Sequence, residues 1–263
     1  MQGIWKTLLG TVLALAMFGA QAASEQKVRT PFIENWGQVP LAQLERQASQ
    51  YPGVYFLNGA AEEKVIALTF DDGPSQFTPE LLDVLKKHQV KATFFVLGKS
   101  VERSPELVKR AQAEGHTIGN HSWDHPNLSE MQGDAYWDKQ LKPTQDALKK
   151  LLGFEPALMR PPYGFLTDAQ VADLGKRKMK AILWSVASDD WFLIHTMTQG
   201  SAQAIGKQVQ QYAHPGAIVL AHDAGGRTRQ PTIEAMDALI PELKKQGYRF
   251  VTVDQLLGVK PAL

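Results

Sequence analysis

Val65-Ile66-Ala67-Leu68-Thr69-Phe70-Asp71-Asp72-Gly73-Pro74 runs from an apolar stretch directly into two adjacent carboxylates and a Gly-Pro turn. A short apolar run closed by a turn signal reads as a buried strand. Two neighbouring carboxylates are costly to hold ionised unless a cation or separate partners stabilise them. One economical solution gives one carboxylate to a metal and keeps the other as a base. The plain alternative is a solvated Asp-Gly turn.

The same pattern repeats outward from this stretch. Further strands are predicted at 92–96, 117–119, 157–160, 181–186, 217–220 and 250–253, with the first at 65–70. Between them lie helical patterns. Thr78-Pro79-Glu80 and Ser104-Pro105-Glu106 are start signals, with Thr or Ser as N-cap and Pro at the first helical position. Gly115 closes the second of these helices. Others are predicted at about 136–152, 167–177, 201–212 and 232–246. Alternating strands and helices imply parallel pairing through crossovers, an α/β class, and seven such units point to a barrel. Residues 23–62 fall outside the pattern as an N-terminal extension without an assigned role, in which Tyr55-Phe56-Leu57 reads as a peripheral strand. The barrel domain occupies 63–263.

The 263 residues suffice for one large core, and a net charge of +1 argues against nucleic acid as the main partner. Lys6 followed by an apolar run to Ala20, with Ala20-Gln21-Ala22 behind it, reads as a signal peptide over 1–22. The apolar core is short for a membrane span, so no stable anchor is expected after cleavage. Export to the periplasm or the exterior of a bacterial cell follows. There is no cysteine, which excludes disulfides, thiolate zinc sites and cysteine nucleophiles.

His121-Ser122-Trp123-Asp124-His125 is the second chemical cluster. Two histidines four apart form a weak motif alone, but they follow a strand just as Asp71-Asp72 do. In a parallel barrel both would emerge at the C-terminal face, where active sites assemble. Asp72, His121 and His125 would then make a three-ligand oxygen/nitrogen metal site with a position left for water. Arg160-Pro161-Pro162-Tyr163-Gly164, Asp189-Asp190-Trp191 and Leu220-Ala221-His222-Asp223 end later strands on the same face. Each has a plain reading as an ion-pair partner, a core aromatic or a structural histidine.

In this order TFDDGP, H-S-x-x-H, R-P-P-Y, D-W and L-x-H-D resemble the five motifs of the polysaccharide deacetylases, the NodB-homology proteins of carbohydrate esterase family four. The resemblance spans about 62–258. It implies an irregular, incomplete (β/α)7-type barrel and hydrolytic removal of acetyl groups from a carbohydrate polymer or oligosaccharide. The cofactor implied is a divalent metal, zinc by preference, with Co2+, Ni2+ or Mn2+ also suited to such ligands. Carried over by position, it makes Asp71 the base and Asp72, His121 and His125 the metal ligands. Arg160 would hold Asp71, and the Tyr163 backbone N–H would help stabilise the oxyanion. His222 would be the acid, tuned by Asp190, while Trp191 and Leu220 would wall the acetyl methyl pocket. The family pattern D-x-x-D-W has Ala187 in its first position here. Chitin oligomers or peptidoglycan are the implied N-acetylated substrates. The rival readings are an O-acetyl xylan esterase and a non-catalytic carbohydrate-binding protein. Trp123 and Trp137 are candidates for sugar stacking or for packing, and Asn120 and Ser122 for orienting the ligating histidines. His116 reads as structural.

Overall fold

The computed structural model describes residues 25–33, 37–60 and 62–263; the predicted signal peptide lies outside the described residues. The strands are β1 (Tyr55–Phe56), β2 (Val65–Asp71), β3 (Thr93–Val96), β4 (Thr117–Asn120), β5 (Leu158–Met159), β6 (Lys180–Ile182), β7 (Val186–Ala187), β8 (Ala217–His222) and β9 (Arg249–Phe250). Every ladder is parallel, in the order β1-β6-β5-β4-β3-β2-β8-β7, with β9 beside the start of β2. The helices are α1 (Leu41–Gln50), α2 (Thr78–Lys87), α3 (Gly98–Arg103), α4 (Pro105–Ala113), α5 (Lys142–Leu152), α6 (Asp168–Lys176), α7 (Asp190–Thr196), α8 (Ser201–Tyr212), α9 (Gln230–Lys245) and α10 (Val253–Leu257).

Side chains of a strand alternate between its two faces, and here the alternation separates two cores. Ile66, Leu68 and Phe70 of β2 point outward and pack with Leu81, Leu82 and Leu85 of α2 and with Ile233 and Leu239 of α9. Ala67, Phe95, Leu158, Ile182 and Ile218 point inward from five different strands, and Val253 of α10 closes the bottom. Along the same rows, two residues further on lie Thr69, Arg160 and Trp184, four further on lie Asp71 and His222, and His121 stands two beyond inward-facing Gly119. The functional side chains therefore continue the inward-facing rows of the barrel.

The expected strand over 181–186 divides in two. β6 pairs with β5 and β1, whereas β7 pairs with β8. Between them Leu183 N–H donates to Phe56 O at 2.9 Å and Ser185 N–H to Ile218 O at 3.1 Å. This single segment bridges both ends of the curled sheet, which makes the barrel incomplete in the sense the motifs implied. The peripheral strand expected around Tyr55 is β1, so the N-terminal extension contributes to the same sheet.

Other boundaries also shift. The strand expected at 250–253 is only Arg249–Phe250, because Thr252 and Gln255 form a capping box that starts α10. The helix expected over 136–152 opens with a π-helical turn, Trp137–Leu141, before α5. Thr78 lies inside α2 rather than capping it; its Oγ1 accepts from Ser75 N and donates to Asp223 Oδ2 at 2.5 Å. Gly115, with φ +85°, follows α4 as expected.

Gly119 of β4 faces the barrel interior, where a Cβ would sit 2.5 Å from the Phe95 ring and 3.2 Å from Leu158 O. Gly119→Ala is expected to overpack this layer and cost about 1–3 kcal/mol. Urea unfolding checks this, and an unchanged midpoint would contradict the interior placement.

Candidate active site

Arg160 is fully buried at the centre of the inward-facing rows. Its Nε donates to Ile182 O and its Nη2 to Leu183 O, both at 2.8 Å, using carbonyls that the break between β6 and β7 exposes to the interior. Its Nη1 donates to Thr69 Oγ1 at 2.6 Å and to Asp71 Oδ1 at 2.9 Å. The guanidinium lies over the Phe95 ring, 4.4 Å from its centroid. The plain reading of Arg160 as a surface ion-pair partner is thereby replaced by a buried one.

Asp71 thus has one oxygen fixed by Arg160, while its Oδ2 lies 3.8 Å from His121 Nε2. Asp72 turns away with φ 75°. Its Oδ1 is buried without a hydrogen-bond partner, 3.5 Å from His121 Nε2 and 3.4 Å from His125 Nε2. The three ligand atoms lie within 4.8 Å of one another. A tetrahedral ion about 2.0–2.1 Å from each ligand places those atoms roughly 3.4 Å apart. The orphaned oxygen and the two short edges fit a divalent metal.

The histidines are prepared for that role. His121 Nδ1 pairs with Arg160 O at 2.7 Å, which leaves Nε2 as the lone-pair nitrogen. Burial, reinforced by the neighbouring His121, pushes the His125 pKa down to about 4, so the ring is neutral near pH 7. Asn120 and Ser122 hold the loop backbone rather than the rings. Asn120 Oδ1 accepts from Ser122 N–H at 2.8 Å, and Ser122 Oγ accepts from His125 N–H at 3.1 Å. Gln140 does the same for Trp123 N–H at 2.9 Å and also donates to Asp124 Oδ1.

Across the cavity His222 Nδ1 meets Asp190 Oδ1 at 2.7 Å. Burial works against the charged ring, but the Asp190 carboxylate outweighs it and the His222 pKa sits above its ordinary value. Burial alone would raise Asp190; the charge and hydrogen bond of His222, with Arg229 and Thr232, hold it well below the carboxylate range instead. Five of the seven non-glycine residues with positive φ among the described residues, Asp72, Ser122, His125, Tyr163 and Asp189, flank this site. Such backbone is costly and concentrates at functional positions.

A cavity of about 270 Å³ joins these groups. Asp71, Asp72, His121, His125, Tyr163, Trp191, Leu220 and His222 all line it. Arg160 and Asp190 stand behind it, hydrogen-bonded to Asp71 and His222. Tyr163 is partly exposed, its ring edge-on to His125 at 4.5 Å. Gln38, Trp184 and Arg229 also line the cavity and escaped the sequence reading. Trp184 was recoverable, since it is two residues beyond inward-facing Ile182; Gln38 and Arg229 carried no local signal. Trp123 and Trp137 do not line it: Trp123 covers Gly98 and Trp137 stacks on Arg177. His116 is structural, its Nδ1 taking Ala92 N–H at 3.0 Å.

A parallel, incomplete barrel with an Asp-His-His trio, a buried Asp-Arg pair and an Asp-His pair around one cavity defines a metal-site hydrolase class. A family model described as polysaccharide deacetylase matches residues 58–182. The chain is 39% identical over 218 residues to a peptidoglycan-N-acetylglucosamine deacetylase of Bacillus cereus, covering 82% of this chain and 74% of that protein. It is 37% identical over 258 residues to the peptidoglycan-N-acetylmuramic acid deacetylase PdaA of Bacillus subtilis, covering 94% of each. Some relatives are longer: the chain spans 40% of the Listeria monocytogenes peptidoglycan-N-acetylglucosamine deacetylase PgdA, at 45% identity. A crystal structure of a peptidoglycan N-acetylglucosamine deacetylase in complex with 4-naphthalen-1-yl-N-oxidanyl-benzamide superposes with a TM-score of 0.77 at 37% identity, over 83% of this chain and 98% of that one. The chain belongs to the polysaccharide deacetylase family, and the curated relatives above are hydrolases named for removing the N-acetyl groups of peptidoglycan sugars.

His125→Ala and Asp72→Asn are each expected to weaken zinc binding by more than about a hundredfold, since loss of even a supporting partner costs about 10–100-fold. Calorimetric titration of the metal-stripped protein checks this. Wild-type affinity in either variant would remove that residue from the ligand set.

Proposed function

We propose that this chain is an exported, zinc-dependent N-deacetylase of peptidoglycan-type N-acetylated glycans. The observation that carries the reading is the placement of the Asp72-His121-His125 trio between an arginine-held Asp71 and an Asp190-held His222, all on one cavity. A binding module needs no such set. The relatives named for peptidoglycan amino sugars support the substrate class. The signal-peptide reading of residues 1–22 supports export, and no helix among the described residues is long and apolar enough to cross a membrane.

When bound, the divalent cation supplies Lewis acidity to the acetyl carbonyl and acidifies a water. Asp71 accepts the proton from the attacking water, and Arg160 holds its carboxylate in place. The Tyr163 backbone N–H donates to the oxygen on which negative charge develops. Trp191 and Leu220 enclose the acetyl methyl group. As the carbon–nitrogen bond breaks, His222 Nε2 gives its proton to the nitrogen, so the products are acetate and a free amino sugar. Asp71 then releases its proton to solvent, and His222 takes one back.

The test is incubation of the zinc-loaded chain with N-acetylated chitooligosaccharides, with peptidoglycan fragments and with acetylated xylan, with and without chelator, read by mass spectrometry. Chelator-sensitive loss of acetyl mass is expected. Turnover confined to acetylated xylan would replace this reading with an O-acetyl esterase, and binding without turnover would replace it with a carbohydrate-binding protein.

The acid role of His222 gives a pH signature. The protonated ring is needed for turnover, so kcat/KM is expected to fall as pH rises through its pKa, above the ordinary histidine value of 6.5. In Asp190→Asn the raising charge is gone while burial remains, so this alkaline limb is expected to move to lower pH. An unmoved limb would refute the coupling. His222→Ala is expected to slow amide cleavage more than cleavage of an ester with a good leaving group; equal losses would refute the acid role.

A further inference from the structure

Arg229 stands just before α9 and is 4% exposed. Its Nε donates to Ala224 O at 2.6 Å. Its terminal nitrogens find no hydrogen-bond acceptor among the described residues. The nearest carboxylate oxygen, Asp190 Oδ2, lies 3.7 Å from Nη1, beyond hydrogen-bonding distance.

The hydrogen-bonding capacity of Asp190 is filled without that guanidinium, whose charge reaches it only through space. Its Oδ1 already accepts from His222 Nδ1 at 2.7 Å and Trp191 N–H at 2.8 Å. Its Oδ2 accepts from His222 N–H at 2.9 Å and Thr232 Oγ1 at 2.8 Å. A carboxylate offers about four acceptor sites, so this one is full.

Arg229 lines the cavity beside His222 and Trp191. Gly225 separates it from the metal trio by the width of one missing side chain. A Cβ there would lie 3.1 Å from Asp72 Oδ2 and 3.4 Å from Arg229 Nη2. A guanidinium keeps its charge in a protein, and the terminal nitrogens of Arg229 are not sealed: they open onto the cavity. An acceptor arriving through the cavity would meet them there, and a planar two-nitrogen fork matches a carboxylate best.

Resting on the deacetylase reading above, we propose that Arg229 is a substrate-contacting residue that receives a carboxylate-bearing substituent of the acetamido sugar. The acetamide nitrogen must face His222 for proton transfer, and Arg229 adjoins His222 through Asp190. In this arrangement the substituent on C3, one of the two ring carbons beside the acetamide-bearing C2, would lie toward Arg229. That substituent is a hydroxyl in N-acetylglucosamine and a lactyl ether with a free carboxylate in N-acetylmuramic acid. Arg229 therefore favours the muramic-type sugar.

Two measurements test this. Steady-state turnover by wild type, Arg229→Gln and Arg229→Lys compares N-acetylglucosamine oligomers with glycan fragments carrying the free muramic carboxylate. Arg229→Gln is expected to raise KM for the muramic substrate by roughly tenfold to a hundredfold, with a smaller rise for the plain oligomer. Arg229→Lys, which keeps the charge but loses the fork, is expected to fall between. Equal KM changes on both substrates would overturn the carboxylate assignment. A fall in kcat alone, with a shifted alkaline limb, would make Arg229 a tuning residue for His222 and overturn the contact.

The second measurement is calorimetric binding of a muramic-acid disaccharide to zinc-loaded Asp71→Asn protein, with and without Arg229→Gln, after circular dichroism shows both folded. Affinity lost with Arg229 supports the contact even if the wild type turns nothing over, which separates failure of this proposal from failure of the deacetylase reading. Equal affinities would overturn the proposal.

Discussion

A guanidinium sealed inside a parallel barrel is the constraint on which the site depends. Removing one partner of a buried ion pair costs about 3–5 kcal/mol, because the remaining charge is left without compensation. Here Arg160 is satisfied by Thr69, Asp71 and two carbonyls of the segment between β6 and β7. Its own carbonyl meets His121 Nδ1 and its N–H reaches Asn120 O at 2.9 Å. One residue thus fixes the Asp71 carboxylate, the tautomer of His121 and the segment between β6 and β7. The irregularity of the barrel is what supplies the free carbonyls.

Adjacent carboxylates can share a site when their surroundings differ this much. Asp71 ends the regular ladder of β2 and faces a buried cation. Asp72, one residue on, leaves the strand through a left-handed backbone and faces two imidazoles. The alternation of β2 directs the first inward, and the turn directs the second toward the loop after β4. Asp223 braces this turn: its N–H donates to Asp71 O at 3.2 Å and its carboxyl packs against Gly73, where any side chain would overlap it. Burial, partly offset by the Thr78 hydroxyl, pushes its pKa up to about 7.

Much of this was legible in the sequence because it depends on local pattern. Apolar runs ending in Asp-Asp, His-x-x-x-His, Arg-Pro-Pro and His-Asp placed the chemical residues at successive strand ends, and the barrel follows from strand–helix alternation. What was not legible depends on long-range geometry. The division of 181–186 into two strands arises because one segment must bridge β5 and β8, which no local signal encodes. Arg229 and Gln38 reach the cavity from a helix start and from the N-terminal segment, far in sequence from the motifs. The positive φ values of Ser122 and His125 occur in a loop whose N–H groups are held by the Asn120, Ser122 and Gln140 side chains, the last of them well outside the motif. Trp123 and Trp137 looked available for sugars because packing against Gly98 and Arg177 cannot be read from a single chain position.

The central claim is that the two carboxylates divide the work, Asp72 holding the metal and Asp71 serving as base. Asp71→Asn separates these roles most directly, with zinc content and turnover of N-acetylated glycan measured on the same preparation. Full zinc occupancy with turnover abolished is the predicted result. Retained turnover, or loss of zinc together with activity, would contradict the division.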